Sequence, residues 1–214
     1  MFLLTLAVAI TTSVSTEPAP GGLYYPTAVG AKRVSEMTVG GATVEVTEEV
    51  VRVEATGGTH VVSVARSAAS RTVVIRPAVM EGRVVEASPK GVHLRLAADQ
   101  GKTTTHPVLD LSVRAGEVWE ADLPVPGGGT ARVAYTRGKA EEVEVPAGKF
   151  EAVRVEGVVD LGTGRTQKSV EWHAVGVGVV KLVVDRGGGE QTTVLKSFTP
   201  GKGEVKKGTP PKDE

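Results

Sequence analysis

The sequence predicts an all-β protein: a single curved antiparallel sheet, a half-barrel or open barrel, with little or no helix. Three observations carry this. Valine recurs with period two, as in Thr43-Val44-Glu45-Val46, Val92-His93-Leu94-Arg95-Leu96 and Glu142-Val143-Glu144-Val145. That period puts one set of side chains on a core face and the other in water, and valine's stiff χ1 suits a pleated surface. Turn signals fall at short intervals, among them Gly40-Gly41, Gly57-Gly58, Pro89-Lys90-Gly91, Gly127-Gly128-Gly129 and Gly187-Gly188-Gly189, which is the rhythm of an antiparallel barrel or sandwich. No window repeats apolar residues at i, i+3, i+4 and i+7 over three turns; residues 65–70 could make one helical turn at most.

In chain order, residues 1–15 read as a signal peptide. Residues 2–10 are apolar, Thr and Ser follow, and Ser13-Val14-Ser15 is a small-x-small cleavage site, although the first basic residue is Lys32. Residues 16–22 form a flexible segment and 23–198 a single β domain, with no linker and no internal repeat. Strands are expected near 34–39, 43–54, 59–66, 71–77, 80–87, 91–97, 108–113, 117–123, 130–137, 140–145, 149–161, 166–175, 177–185 and 190–198. Two long strands lose phase part-way. The apolar set shifts from Val44 and Val46 to Val51 and Val53, and from Phe150 to Val153 and Val155. A change of face means a bulge or bend, and bent sheets tend to close or to wrap a cavity. The tail 199–214 is rich in Pro, Gly and Lys and has one apolar side chain, Val205. It is expected to be basic and disordered.

Composition excludes several functions. The 214 residues carry 25 Lys and Arg against 25 Asp and Glu, so no basic face is expected for nucleic acid. There is no cysteine, which removes disulfides, thiolate metal sites and cysteine nucleophiles. The apolar N-terminal stretch is too short for a bilayer, and no transmembrane segment follows it.

Candidate chemistry is thin. His60, His93, His106 and His173 show no metal-ligand spacing, and His93 reads as solvent-facing between Val92 and Leu94. Ser169 and His173 share a strand face but stand ~13 Å apart. Glu48 and Glu49 point to opposite faces and cannot work as an acid–base pair. Glu142 and Glu144 share a face and read as solvated. Gly176-Val177-Gly178 lacks the third glycine of a dinucleotide loop and reads as a strand bend. No catalytic residue, metal ligand or cofactor is expected. Only 4% of residues are aromatic. Trp119, Tyr135, Phe150 and Trp172 fall in predicted strands, where they pack a core or line an apolar pocket; these four are the candidate ligand-binding residues.

Two stretches carry a family resemblance. Leu23-Tyr24-Tyr25-Pro26-Thr27-Ala28-Val29-Gly30 resembles an opening aromatic-Pro-x-x-x-Gly element. Val145-Pro146-Ala147-Gly148-Lys149-Phe150 opens a V-P-A-G-x-F hairpin, and Trp172-His173-Ala174-Val175-Gly176-Val177-Gly178-Val179-Val180-Lys181 is similar to W-aromatic-x-P-G-V-G-x-V-K. Gly116-Glu117-Val118-Trp119 is similar to a further G-x-x-W element. Together they resemble bacterial exported proteins of the domain-of-unknown-function 3108 type. His173 stands where that pattern has an aromatic and Val175 where it has proline. Locally, Pro146 suits position i+1 of a type I turn and Gly148 position i+3, with Phe150 and Trp172 packing on one face. The structural motif residues are thus Tyr25, Pro26, Gly30, Pro146, Gly148, Phe150, Trp172, Gly176, Gly178 and Lys181. The resemblance implies a fold like that of periplasmic lipoprotein carriers, which hold acyl chains against a concave sheet, although the plug helices of those carriers have no counterpart here.

The expected function is noncatalytic: an exported protein of the cell envelope, in the periplasm or outside the cell, binding an apolar or lipid-like ligand in a curved sheet. The alternative is a structural or protein-interaction module that binds an envelope protein and no small molecule.

Overall fold

A computed structural model describes residues 22–70, 78–97, 103–124, 129–161, 165–203 and 206–207. The signal peptide expected at 1–15, residues 16–21 and the strand expected at 71–77 lie outside the described residues.

The chain runs as two meanders. The first comprises β1 (Lys32–Val39), β2 (Ala42–Thr56), β3 (Thr59–Ser70), β4 (Ala78–Ser88), β5 (Gly91–Ala97) and β6 (Thr103–Asp110). The second comprises β7 (Val118–Pro124), β8 (Thr130–Val145), β9 (Gly148–Asp160), β10 (Thr166–Ala174), β11 (Gly178–Asp185) and β12 (Glu190–Thr199). Within each meander every strand pairs antiparallel with its sequence neighbour, and β1 and β12 pair antiparallel to join the two. The order is β6-β5-β4-β3-β2-β1-β12-β11-β10-β9-β8-β7, which leaves β6 and β7 as the two edges. Residues 111–117 connect those edges directly. Seven residues reach ~25 Å at most, whereas a flat sheet of this width would separate its edges by ~50 Å. The sheet must curl, and it forms a barrel closed everywhere except at the β6/β7 seam.

Curvature is supplied by bulges. Register shifts fall between Val50 and Arg52 of β2 against β3, between Val64 and Arg66 of β3 against β4, and between Trp172 and His173 of β10 against β11. The phase change in residues 43–54 is the β2 bulge. The one in residues 149–161 has a different origin. Ala152 and Val153 are both buried in β9, and the extra residue sits next to them across the ladder, opposite Arg154 and between Arg137 and Ala140 of β8. That bulge lets β8 continue through the two strands expected at 130–137 and 140–145. Residues 65–70 are not a helical turn but the end of β3, where Ala65, Arg66, Ser67, Ala68 and Ala69 pair with β2.

β6 runs from Thr103 rather than from 108, with Pro107 inside it. A proline lacks the N–H for a central ladder but is tolerated on an edge strand, which is where β6 lies. Part of the segment expected to be a disordered tail is placed. Gly203 N–H donates to the Val29 carbonyl at 3.0 Å, and β13 (Lys206–Lys207) pairs parallel with Glu54 and Ala55 of β2. Gly201 makes this docking possible, since a Cβ there would lie 2.4 Å from the Ala28 carbonyl oxygen. Residues 204–205 and 208–214 lie outside the described residues.

Among the described residues no helix forms, so none is long and apolar enough to cross a membrane. The core is built from the inward phase of the strands. One group includes Val62, Val64, Val85, Val133 and Val155, and a second gathers Val143, Ala152, Ala174, Val180 and Leu195.

Candidate functional site

Three strands of the first meander break their own apolar phase with a charge. In β2 the inward positions read Val46, Glu48, Val50; in β3, Val62, Val64, Arg66; in β4, Arg83, Val85, Ala87. Each charge therefore points where its strand buries valine. β1 adds Arg33, with only 4% of its surface exposed. Ions taken out of water need partners, and here they find one another. Glu48 Oε2 accepts from Arg33 Nη1 at 3.0 Å and from Arg83 Nη2 at 2.9 Å, while Oε1 accepts from Arg66 Nε at 3.0 Å. Burial works against the Glu48 carboxylate, but the charges of Arg83, Arg33 and Arg66 outweigh it and hold the group below its ordinary value.

The first resemblance stretch completes this cluster. Gly30 N–H donates to the Val50 carbonyl at 2.8 Å, which ties the stretch to β2. The Tyr25 ring lies between Arg33 and Arg83, whose guanidinium carbons are 6.0 and 5.9 Å from its centroid. The second stretch meets it here. Gly176 N–H donates to the Leu23 carbonyl at 2.7 Å. Gly178, at φ +89°, passes beneath the Tyr25 ring, where a Cβ would stand 3.3 Å from Tyr25 Cδ2 and 3.4 Å from Arg33 Nη1. Arg33 Nη2 also donates to the Val179 carbonyl. The two motifs are thus halves of one contact, and glycine at 178 is required both by its backbone and by the space it leaves.

Above this cluster the barrel encloses a cavity of about 290 Å³. Arg33, Glu48, His173 and Val92 form its buried floor. Half-buried Met37 of β1, Val46 of β2, Leu182 of β11 and Thr193 of β12 lie further out along their strands and form the rim. In β1 and β2 the charged lining residues are thus deeper than the apolar ones. His173 Nε2 lies 3.1 Å from Glu171 Oε2, close enough for electrostatic attraction, but it is not aligned for a hydrogen bond. Three guanidiniums, Arg33, Arg66 and Arg83, and the Lys181 ammonium share the lining with two carboxylates, Glu48 and Glu171. The Nε atoms of Arg33 and Arg83 are buried without a partner among the described residues.

A second polar group, at the seam, is neutral. His106 is 2% exposed. Its Nδ1 lies 3.1 Å from the Asp122 carbonyl of β7 and its Nε2 2.7 Å from the Tyr135 hydroxyl of β8. A carbonyl can only accept, so Nδ1 carries the proton and donates to Asp122, and Nε2 accepts from Tyr135. Burial keeps His106 below its ordinary pKa and pushes the Tyr135 hydroxyl up, so both stay uncharged. This one side chain ties β6 to β7 where the ladder is open.

The four aromatic candidates lie away from the cavity lining. Trp119 stacks on its cross-strand partner Tyr135 with centroids 5.1 Å apart, beside His106. Gly157 faces Tyr135 across β9, where a Cβ would lie 3.0 Å from the ring. Phe150 and Trp172 pack against the second core group, on a common cluster as expected. Trp172 also donates its Nε1 to Glu141 at 2.5 Å, with Lys181 Nζ 5.0 Å from its ring. Pro146 and Ala147 make the two-residue turn from Val145 to Gly148, and the tip docks through the Ala147 N–H on the Leu195 carbonyl at 3.1 Å. Glu142 and Glu144 are exposed and share Lys149. Among the described residues no group of three or more His, Asp or Glu could hold a metal ion.

No family model matches the chain, and no curated protein matches it. Solved structures do. A candidate lipoprotein from Parabacteroides distasonis superposes with a TM-score of 0.61 at 14% identity, over 83% of this chain and 99% of that one. A candidate exported protein with YmcC-like fold from Bacteroides fragilis superposes with a TM-score of 0.59 at 13% identity, again over 83% and 99%. This chain shares their fold.

Proposed function

We propose that this protein is a noncatalytic, exported component of the cell envelope that holds a small apolar or lipid-like molecule inside its barrel. The observation that carries the reading is the cavity of about 290 Å³, kept open in an interior that valine otherwise fills. Its size is at the lower end of small-molecule pockets. One short acyl chain or ring fits that space better than a whole diacyl lipid. Export is supported by the apolar stretch 2–10 with its small-residue cleavage site and by the descriptions of the two structural neighbours. The resemblance to the 3108 type points the same way.

The interaction-module reading has less behind it. The exposed large hydrophobics Val51, Val118, Val158, Leu161 and Val175 are spread over β2, β7, β9 and the β10–β11 turn, and single exposed valines are ordinary.

Native mass spectrometry of the mature protein, with organic extraction of the same sample, tests the proposal. A stoichiometric apolar mass that Leu182→Trp removes is the expected result. A bare chain, still bare after incubation with an envelope lipid extract, would move the function to the interaction module.

A further inference from the structure

We propose that the ligand bears a carboxylate and enters acid-first, with the acid against Arg66 and Arg83 above the buried Arg33–Glu48 floor and its apolar body against Met37, Val46 and Leu182 at the rim. The inference rests on the reading of the cavity as a ligand site and adds its chemical class.

The first argument is charge. Arg33, Arg66, Arg83 and Lys181 against Glu48 and Glu171 leave the cavity with more positive than negative charge, even with the Lys181 ammonium set over the Trp172 ring. A neutral occupant would leave that excess uncompensated, and a cation would add to it. An anionic head group reduces it.

The second is the supply of donors. Glu48 spends both oxygens on the three arginines, so it orients them and is not left to receive a cationic ligand. Arg66 meets Glu48 through Nε, and its two Nη groups have no protein partner among the described residues. A guanidinium edge carrying free N–H groups matches a carboxylate in bidentate fashion. Arg66 and Arg83 also keep 26% and 29% of their side-chain surface exposed, against 5% for Arg33. They are the two that a ligand can reach.

The third is direction. Along β1 the inward residues run Arg33, Ser35, Met37, and along β2, back from the floor, Glu48 then Val46, whereas along β12 the order reverses, from buried Leu195 to Thr193 and Gln191. In β1 and β2 the charged residue is buried and the apolar one half-exposed. An amphiphile obeying that gradient places its head deep and its tail toward the mouth.

The test is calorimetric titration of the full mature chain with decanoate, decanol, decyl phosphate and decylamine, each below its micelle concentration, at low and high salt. Decanoate should bind one per chain, roughly tenfold or more tighter than decanol, the margin set by charge-assisted hydrogen bonds. Added salt should weaken decanoate and leave decanol alone. Arg66→Gln should narrow the gap between the two. Equal binding of decanol and decanoate overturns the acid recognition and leaves the cavity reading standing. A preference for decylamine or decyl phosphate assigns a different head group and also overturns it. Failure of all four removes both readings together. If Arg66→Gln does not fold, the decanoate-to-decanol ratio of the unaltered chain and its salt response still decide the matter.

Discussion

Two parts of one barrel interior solve the problem of buried polarity in opposite ways. At the seam, His106 and Tyr135 are neutral, each ring nitrogen of His106 has a partner, and Trp119 stacks over the pair. Elsewhere in the interior, three arginines are gathered around Glu48, the positive charges outnumber the negative, and space is left beside them. A satisfied neutral pair adds direction to a packed core and asks for nothing more. A charged cluster with surplus donors is costly by itself, and its cost is offset when something else fills the gap. The first arrangement belongs to closure of the barrel, and the second is the place where the proposed ligand would sit.

The comparison can be broken at the packed side first. Trp119→Ala removes a buried ring and uncovers Tyr135, and it should destabilise the protein by about 3–5 kcal/mol in denaturant unfolding. A loss below about 1 kcal/mol would mean that the seam region is no better packed than an ordinary surface. Glu48→Gln attacks the charged side. It leaves three guanidiniums facing one another and should cost about 3 kcal/mol, as for a buried pair deprived of one partner. Adding Arg66→Gln should recover part of that loss, which a double-mutant cycle would read as coupling. Strict additivity would show that the arginines are already hydrated and that Glu48 does not hold them.

The smallest effect sharpens the contrast through pH. Burial keeps His106 neutral below its ordinary value, so the unfolded chain takes up the proton first as pH falls through ~6.5. Stability contributed by neutral His106 is present above that range and declines below it. Glu48 is depressed from a lower starting value, so its contribution is lost only in stronger acid. Between pH 7 and 5.5 the melting temperature should therefore fall in the native protein, and the slope should flatten in His106→Gln. An unchanged slope in the variant would show that the seam histidine does not sense protons.

Much of the sheet could be read from residues. Period-two valine located most strands, and the phase slip between Val46 and Val51 marked a true bulge. β6 was misplaced because Pro107 and a threonine run hide an edge strand from an apolar pattern. The floor of the site was half visible. Glu48 stands in phase with Val46 and Val50, Arg66 with Val62 and Val64, and Arg83 with Val85 and Ala87. A charge in the inward phase is a signal, and setting Glu48 aside because it cannot pair with Glu49 as acid and base passed over it. That these charges converge was not visible, because cross-strand register is set by pairing rather than by composition. The aromatic candidates drew attention by size, and at the seam that size serves packing.

The β1–β12 pairing sets an order of events. Each meander is built from hairpins that can form as soon as their own strands exist, but β1 finds its partner some 160 residues later in the chain, and such distant contacts form late. The cavity draws on both meanders, with Arg33, Glu48, Arg66 and Arg83 from the first and Glu171, His173 and Leu182 from the second. During synthesis the N-terminal half must wait with an unpaired strand edge and buried-type charges in water, a state open to mispairing. The cavity is therefore the last part of the molecule to come into being, and it appears in the same step that joins the two meanders.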